Sequence, residues 1–312
     1  MAELEDFIAA MEAKIVKAGF SKSGEKELEY GRQLTLTDGT GKITVNVYSG
    51  KKGISVVLGG AAGSPLRQAV QVAIDGEGFS ASAAVASTVP PGFEGIEGFD
   101  NCWIGTDESG KGDFFGPLVV AAVRVDGSTA ARLEAAGVRD SKALSDNKAK
   151  TVARQIREIC ADQFAELEIM PARYNTLYSQ FRSERKNLNH LLAWAHARVL
   201  EDLLQKAPCR FALADKFADE KFIQSRLMDK GRQVLLVQTP KAERNVAVAA
   251  ASVLARDKFL SRMEGLSAKF GLTFPKGASA QVIEAAKFYV AEHGKAALAE
   301  VAKTHFKTSE QV

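Results

Sequence analysis

The chain has 312 residues, 46% of them apolar and 25% charged, which excludes a disordered protein and exceeds the usual size of one hydrophobic core. Its net charge of +3 is too small to indicate a nucleic-acid partner by itself. No segment approaches about 18 uninterrupted apolar residues and the first 20 residues lack a signal-peptide run, so we expect a soluble cytoplasmic protein without membrane contact.

The first part of the chain predicts a small domain with a helix, an antiparallel sheet and a second helix. Apolar residues at three- and four-residue spacing indicate a helix over 2–20. Alternating runs joined by turn-rich pieces of hairpin length indicate strands at 33–37, 43–48 and 54–58. The segment 65–74 has the pattern of a second helix.

A change of composition marks the boundary between two domains. Residues 79–97 are rich in Ala, Ser, Gly and Pro, and the change is centred on Pro90-Pro91-Gly92. We therefore expect a first domain over 1–88, a linker over 89–100 and a second domain over 101–312.

The second domain predicts a mixed five-stranded sheet covered by helices on its faces. Three strands with little helix between them are followed by alternating helices and strands. The expected strands are 102–107, 117–125, 164–170, 209–214 and 233–237. The expected helices are 145–161, 187–206, 219–228 and 242–263, with a further helical pattern over 279–306.

The loop between the first two of these strands carries two adjacent acids, Asp107 and Glu108. The segment 105–112 fits the first part of a phosphate-binding P-loop, G-x-x-x-x-G-K, but no Ser or Thr follows the Lys and two acids would repel an anion. Carboxylates instead favour hard divalent cations, two of which can promote phosphodiester hydrolysis. A solvated turn is the alternative interpretation.

The two acids also make a structural demand. Neighbouring residues of a regular strand point to opposite faces of the sheet. If both carboxylates serve one site, we expect the strand to end or distort near Glu108, and Gly110 and Gly112 would permit that.

Two further acids are candidates for the same site. Asp215 ends the apolar strand 211–215, at an edge where open α/β sheets commonly bind ligands, although it could equally cap a following helix. Glu243 lies near the first turn of a helix rich in Ala and Ser, whose small residues would allow a close approach to the sheet. Its alternative role is to complement the helix dipole.

Five segments of the second domain together resemble the bacterial type-3 ribonuclease H family, ribonuclease HIII. The resemblance covers roughly 100–306, and the segments are Thr106-Asp-Glu-Ser-Gly-Lys-Gly-Asp-Phe-Phe-Gly-Pro117, Asp140-Ser-Lys142, Asn187-Leu-Asn-His-Leu-Leu-Ala-Trp-Ala-His196, Lys241-Ala-Glu-Arg244 and Ala249-Ala-Ala-Ser-Val-Leu-Ala-Arg256. It implies an α+β/α/β chain: a ribonuclease H-like mixed five-stranded sheet flanked by helices, after a small α/β domain similar to the TATA-binding protein.

The resemblance also implies an activity and a set of catalytic residues. The activity is endonucleolytic hydrolysis of the RNA strand of RNA/DNA hybrids, with two Mg²⁺ or Mn²⁺ ions, leaving 3′-hydroxyl and 5′-phosphate ends. The family's four metal-binding carboxylates correspond to Asp107, Glu108, Asp215 and Glu243. Asp107 would bridge the two ions.

Substrate-binding residues follow from the same resemblance. The segment Ser109-Gly-Lys-Gly112 resembles the family's main-chain reader of the ribose 2′-hydroxyl, a role that glycine favours because it lets the backbone approach a sugar. A tight turn is the plainer alternative. Phosphate contacts are expected from Lys111, Lys142 and Lys241, and Ser141 belongs to the same substrate-binding set, although a lone surface Lys is more often only solvated.

The first domain would bind the hybrid. Its candidate contacts are Lys42, Tyr48, Lys51 and Lys52, although its nine basic and ten acidic residues weaken that prediction. We expect a monomer without an obligate protein partner. Two alternatives stay open: a type-2-like enzyme that also cuts at single ribonucleotides in duplex DNA, and a non-catalytic hybrid-binding protein.

The spacing of the histidines and cysteines does not indicate a metal or catalytic site. His190, His196, His293 and His305 lie in helical contexts without ligand spacing and are expected to be structural or surface residues. The three cysteines are Cys102, Cys160 and Cys209. They share no metal-like spacing, so reduced, buried thiols are expected.

Overall fold

A computed structural model describes residues 2–39, 41–50, 53–59, 65–75, 89–138, 141, 144–216 and 221–312. The chain divides into two compact units, Met1–Thr88 and Val89–Val312. In the described ranges, no helix has both the length and the apolar character that crossing a bilayer requires.

The first unit is an antiparallel sheet with two helices. Its elements are α1 (Ala2–Lys17), β1 (Ser21–Leu28), β2 (Gly31–Thr37), β3 (Lys42–Gly50), β4 (Gly53–Leu58) and α2 (Pro65–Asp75). The four strands pair in sequence order. The sequence predicts only three of them, because the side chains of β1 are mostly exposed and show no apolar alternation.

The core of the first unit lies between the sheet and its helices. Leu34, Leu36, Val45 and Val47 alternate along β2 and β3 and are fully buried. Apolar side chains of α1, including Ile15, pack on them. The alternation seen in the sequence thus gives one buried sheet face.

The second unit contains the predicted five-stranded mixed sheet. Its strands are β5 (Cys102–Ser109), β6 (Leu118–Asp126), β7 (Phe164–Ile169), β8 (Phe211–Asp215) and β9 (Leu235–Thr239). The order is β7-β6-β5-β8-β9, with β8 parallel to both β5 and β9, and β6 antiparallel to both β5 and β7. β5 is therefore central and ends beside the end of β8.

Helices cover both faces of this sheet. They are α3 (Gly127–Ala135), α4 (Asp146–Cys160), α5 (Pro171–Ser183), α6 (Leu188–Lys206), the short α7 (Lys221–Gln224), α8 (Val246–Phe270), α9 (Ala280–His293) and α10 (Leu298–Val301). One core forms on the face that contacts α8 and α4, and a second on the face that contacts α6.

Four helices differ from the prediction. The sequence does not predict α3 or α5; α3 is capped by Asp126, whose carboxylate accepts from the backbone N–H of Thr129. Only Lys221–Gln224 of the predicted helix 219–228 is helical, and 217–220 lie outside the described residues. α8 starts at Val246 rather than 242 because Asn245 has an extended backbone and caps the helix.

The interval 89–100, expected as a linker, is packed into the second unit. Phe93 is fully buried, and Phe99 stacks on it with ring centroids 5.0 Å apart. Phe93 also meets Trp103 of β5 edge to face. The Pro and Gly content of this interval indicated a connector, yet its aromatic residues extend the core.

The start of α8 lies against the middle of β5. A Cβ atom at Gly105 would be 2.2 Å from the backbone nitrogen of Val248, so only glycine permits this approach. Next to it, the indole N–H of Trp103 donates to the Asn245 side-chain oxygen over 2.9 Å. The small residues of α8 therefore bring the helix close to the strand, as the sequence predicts.

Gly105→Ala tests this contact. The added methyl group would clash with the backbone of α8, and we expect a loss of about 3 kcal/mol or more in the free energy of unfolding, measured by urea denaturation. Gly265→Ala is the matched control. Gly265 lies in α8 itself, and no atom is within 4 Å of the place its methyl group would take, so that change should be neutral or stabilising by up to about 1 kcal/mol. Equal effects of the two changes would contradict the proposed packing.

Candidate active site

The two adjacent acids lie at the carboxyl end of β5, on a strand that stays regular. Asp107 pairs with Ala121 and Glu108 with Val120 of β6, without a register shift. The strand ends at Ser109, and Gly110 follows with φ +87°. The sequence led us to expect that the strand would either end or distort near Glu108. It ends one residue beyond Glu108 and is not distorted at the two acids. Their side chains reach opposite faces of the sheet.

Glu108 is held on the α6 face by two basic side chains. Its carboxylate lies 3.1 Å from His196 Nε2 and 3.4 Å from Lys111 Nζ. His196 is buried, and its Nδ1 lies 2.9 Å from the Thr106 hydroxyl, which fixes the orientation of the ring. His196, expected to be a structural or surface residue, is thus a buried structural residue that contacts Glu108. No sequence signal indicates this pairing, because the two residues are 88 positions apart.

A chain of hydroxyl groups lies beside Asp107 on the α8 face. The side chain of Ser252 acts to lower the pKa of the Asp107 carboxyl, and the backbone N–H of Glu108 donates to Asp107 Oδ1 over 2.8 Å. The Ser252 hydroxyl lies 2.8 Å from that of Ser141, and the guanidinium of Arg256 donates to the Ser141 carbonyl oxygen. Ser141 is buried beneath the acid. Its hydroxyl group therefore supports Asp107 rather than facing a substrate.

The electrostatics of the two acids differ sharply. Burial, and then the negative charge of Glu108, raise the pKa of Asp107 to about 7. Burial also acts to raise the pKa of Glu108, but His196 and Lys111 outweigh it and hold that pKa below its usual range. The two neighbouring acids therefore have pKa values shifted in opposite directions.

Asp215 occupies the equivalent position on the neighbouring strand. β5 and β8 are parallel, with Thr106 opposite Ala214, so Asp107 and Asp215 follow at adjacent positions on the same face. The Asp215 carboxylate also accepts from the backbone N–H of Ala242 over 3.3 Å. Its alternative role as a helix cap depends on 217–220, outside the described residues.

Glu243 lies next to that contact. It belongs to a short 3₁₀ turn, Ala242–Arg244, that precedes α8, so it is not in the first turn of the long helix as expected. Lys241 starts the turn in the left-handed conformation, with φ +59°. The hydrogen bond from Ala242 to Asp215 brings this turn to the end of β8. Glu243 is half-buried there.

Asp107 and Glu108 therefore lie at the carboxyl end of β5, and Asp215 lies at that of β8. Glu243 lies in the turn that contacts the end of β8. Within the ranges that the structure describes, no three His, Cys, Asp or Glu side chains are gathered closely enough to form a metal-binding group. Glu108 would have to turn away from His196 and Lys111 to join Asp107 and Asp215.

The loop after β5 has one glycine that packing requires and one that it does not. A Cβ atom at Gly110 would lie 2.1 Å from the carbonyl oxygen of Pro117, which explains that glycine by a tight turn alone. At Gly112 no atom lies within 4 Å of that position. Of the two, Gly112 therefore has the open main chain that a sugar contact needs.

The other predicted substrate-binding residues are distributed around this loop. Ser109 is half-buried, Lys111 has 38% of its side chain exposed, and Lys241 is exposed. Lys142 lies outside the described residues. In the first unit, Lys42 is exposed and Tyr48 half-buried, whereas Lys51 and Lys52 also lie outside the described residues.

A buried lysine anchors the far end of the same loop. Lys303 is fully buried, and its ammonium donates to the carbonyl oxygens of Gly116 over 2.6 Å, Phe115 over 3.3 Å and Pro117 over 3.4 Å. Burial lowers the pKa of Lys303 to about 7, against the opposing influence of Asp113. The C-terminal segment thus fixes the return of the loop to β6.

Comparison with known sequences relates the second unit to one family. The family described as Ribonuclease HII matches residues 104–309. The protein named Ribonuclease HIII from Protochlamydia amoebophila (strain UWE25) is 43% identical over 209 residues, which are 67% of both chains. Ribonuclease HIII of Chlamydia pneumoniae is 42% identical over 212 residues, which cover 67% of this chain and 69% of that protein.

Solved structures extend the similarity to the first unit. Bst-RNase HIII in complex with Mn²⁺ is 29% identical with a TM-score of 0.62, covering 98% of this chain and 95% of that one. Aquifex aeolicus RNase H3 is 25% identical with a TM-score of 0.54, covering 96% of both. Ribonuclease H2 from Pyrococcus horikoshii OT3, at 22% identity and a TM-score of 0.58, covers 67% of this chain and shares the fold.

The low pKa of Lys303 predicts a specific pH dependence of stability. Below pH 7 the folded and unfolded chains both keep this proton, so burial of the charged ammonium lowers the free energy of unfolding by its full amount. Between about 7 and the ordinary value of 10.5 the folded chain releases the proton before the unfolded chain does. The free energy of unfolding should therefore rise with pH in that window, relative to Lys303→Met, by at most about 1.4 kcal/mol per pH unit.

The measurement is urea denaturation of both proteins from pH 6 to 9.5. Lys307→Met, at an exposed position of the same segment, should show no such pH-dependent difference from the unmodified chain. A constant difference between Lys303→Met and the unmodified chain at every pH would mean that Lys303 stays protonated in the folded state.

Proposed function

Since the chain belongs to the ribonuclease HIII family, we propose that it is an endonuclease that hydrolyses the RNA strand of RNA/DNA hybrids with divalent metal ions. One observation carries this proposal most directly. Asp107 and Asp215 follow each other across parallel strands, and Glu108 and Glu243 lie beside them. Four acids at one sheet edge are a donor set for hard cations, and the cations in turn bind phosphate.

The chemistry of these side chains fits Mg²⁺ or Mn²⁺. All four donors are carboxylates. Burial, and then the charge of Glu108, disfavour the ionised form of Asp107, and a divalent cation beside it would favour that form. The solved relative Bst-RNase HIII was crystallised with Mn²⁺. Asp107, Glu108, Asp215 and Glu243 would hold two such ions. When bound, the ions would supply an activated water and offset the charge on the leaving oxygen.

The protein's own residues contact two of the carboxylates. Ser252 and Ser141 lie beside Asp107 on the α8 side. His196 contacts Glu108 on the α6 side, and Glu108 would leave that contact to join the other acids around the ions. Because the ions would activate the water, the proposed reaction needs no protein side chain as general base. Cleavage between the phosphorus and the 3′ oxygen of the preceding ribose then leaves a 3′-hydroxyl and a 5′-phosphate.

Recognition of the RNA strand falls to the loop after β5. The open main chain at Gly112 supports a contact with the ribose 2′-hydroxyl, the group that distinguishes RNA from DNA. Ser109, Gly110 and Lys111 complete this loop. Lys241, at the turn beside Glu243, would contact a backbone phosphate, as would Lys142.

The first unit would add affinity for the hybrid. Lys42 and Tyr48 are its described candidates; both belong to β3, Lys42 at its start and Tyr48 near its end. We propose that the protein acts as a monomer in the cytoplasm, because one chain supplies all four carboxylates.

Asp107→Asn tests the catalytic assignment. The amide keeps the size of the side chain and removes its charge, so we expect the cleavage rate of an RNA/DNA hybrid in Mg²⁺ to fall at least about a thousandfold. The fold should persist, because the change removes a half-buried charge. Asp162→Asn, at an exposed turn, is the control and should keep full activity. Near-normal cleavage by the first variant would rule out the mechanism.

The same assay separates the two alternative functions. A hybrid with at least four ribonucleotides should be cut, and a DNA duplex with one embedded ribonucleotide should not. Efficient cutting of the second substrate would favour the type-2-like activity. Binding of the hybrid without Mg²⁺- or Mn²⁺-dependent products, in the unmodified chain, would favour a non-catalytic binding protein.

A further inference from the structure

Two cysteines that are distant in sequence meet at the end of the sheet opposite to the carboxylates. Cys102 begins β5, and Cys209 lies two residues before β8. Their sulfur atoms are 3.6 Å apart, across a sequence separation of 107 residues. Both side chains are partly exposed, whereas Cys160 is buried in the core formed with α8. These two thiols are therefore within reach of each other and of small molecules.

We propose that Cys102 and Cys209 form a dithiol site that small-molecule disulfides oxidise reversibly to an intramolecular disulfide. The site is independent of the catalytic residues. The co-substrate is a low-molecular-weight disulfide of the glutathione type.

The reaction proceeds by two thiol–disulfide exchanges. The Cys102 thiolate attacks one sulfur of the small disulfide, forms a mixed disulfide and expels one small thiolate. Cys209 then loses its proton and attacks the Cys102 sulfur, which expels the second small thiolate. The protein loses two electrons and two protons, and the small disulfide is reduced to two thiols. Excess thiol reverses both steps.

The geometry fits a disulfide between adjacent parallel strands. β5 and β8 pair in parallel from Ile104 and Ala212 onward, and neighbouring strands lie about 4.8 Å apart. Cys209 lies outside β8, and its sulfur atom is 3.6 Å from that of Cys102. A disulfide requires about 2.05 Å between the sulfur atoms, so the two side chains must approach each other by about a further 1.5 Å.

The surroundings favour Cys102 as the first nucleophile. The hydrogen bond from Cys209 lowers the pKa of Cys102 to about 7, and the guanidinium of Arg124 acts in the same direction. The hydrogen bond with Cys102, and then burial, raise the pKa of Cys209, so Cys209 holds its proton more tightly. Its thiol donates to the carbonyl oxygen of Phe211 over 3.3 Å. Burial raises the pKa of Cys160 to about 11, so this third thiol is a poor nucleophile at neutral pH.

The location of the pair limits what its oxidation does. The bond would join the amino-terminal ends of the two strands whose carboxyl ends carry Asp107 and Asp215. The disulfide would therefore restrict the unfolded chain without contacting the four carboxylates. We expect a rise of about 5 °C or more in the midpoint of thermal unfolding, with hybrid cleavage retained.

The test uses the full chain, first reduced and then incubated with glutathione disulfide under native conditions. After free thiols are alkylated, mass spectrometry of the proteolytic digest should identify a cross-linked peptide pair that contains Cys102 and Cys209. The intact mass should fall by about 2 Da relative to the reduced protein, and dithiothreitol should reverse the change. Cys160 should be recovered unoxidised.

Single variants provide the controls. Cys102→Ser and Cys209→Ser should each stop formation of the intramolecular bond, whereas Cys160→Ser should leave its rate within about twofold of the unmodified chain. Only mixed disulfides with glutathione, a cross-link that includes Cys160, a cross-link between two chains, or full alkylation of all three thiols would overturn the proposal. The peptide map of the unmodified chain distinguishes these outcomes even if a variant fails to fold.

Discussion

The close contact between α8 and the central strand β5 is the constraint on which the candidate site depends. Gly105 lets the backbone of the helix lie against the strand, and Asn245 fixes the start of the helix by capping it and by accepting from Trp103. This packing brings Ser252 to Asp107 and the turn containing Glu243 to the end of β8. A looser contact would separate acids that the chain supplies from positions more than a hundred residues apart.

The charges at the site follow from that arrangement. Asp107 lies on β5 against α8, where burial and the charge of Glu108 raise its pKa. Its carboxylate accepts from the backbone N–H of Glu108, and the Ser252 side chain lies beside it. Glu108 reaches the opposite face, where His196 and Lys111 offset its charge. The two neighbours thus have different partners because a regular strand directs them to different faces. A divalent cation would compete with His196 and Lys111 for Glu108.

The loop that follows these acids is stabilised from both ends by the fold. Its first turn requires Gly110, and its return to β6 is bonded by the buried ammonium of Lys303. In the middle, the backbone N–H of Gly277 donates to the carboxylate of Asp113 over 2.6 Å. Residues of the C-terminal segment therefore hold a loop that follows β5 directly, which leaves the main chain at Gly112 open while its flanks stay fixed.

The sequence alone determined the succession of strands in the second unit and the acids at the strand ends, because apolar runs and the turn-forming residues between them are local properties. It identified Asp107, Asp215 and the mixed sheet from such runs, and five spaced motifs indicated the family. It missed β1, whose exposed side chains carry no alternation, and assigned Phe93 to a linker. Only tertiary structure paired His196 with Glu108, Ser252 with Asp107 and Cys102 with Cys209. These contacts join residues about 90 to 145 positions apart, where periodicity carries no information and packing of helices on the sheet decides which side chains meet.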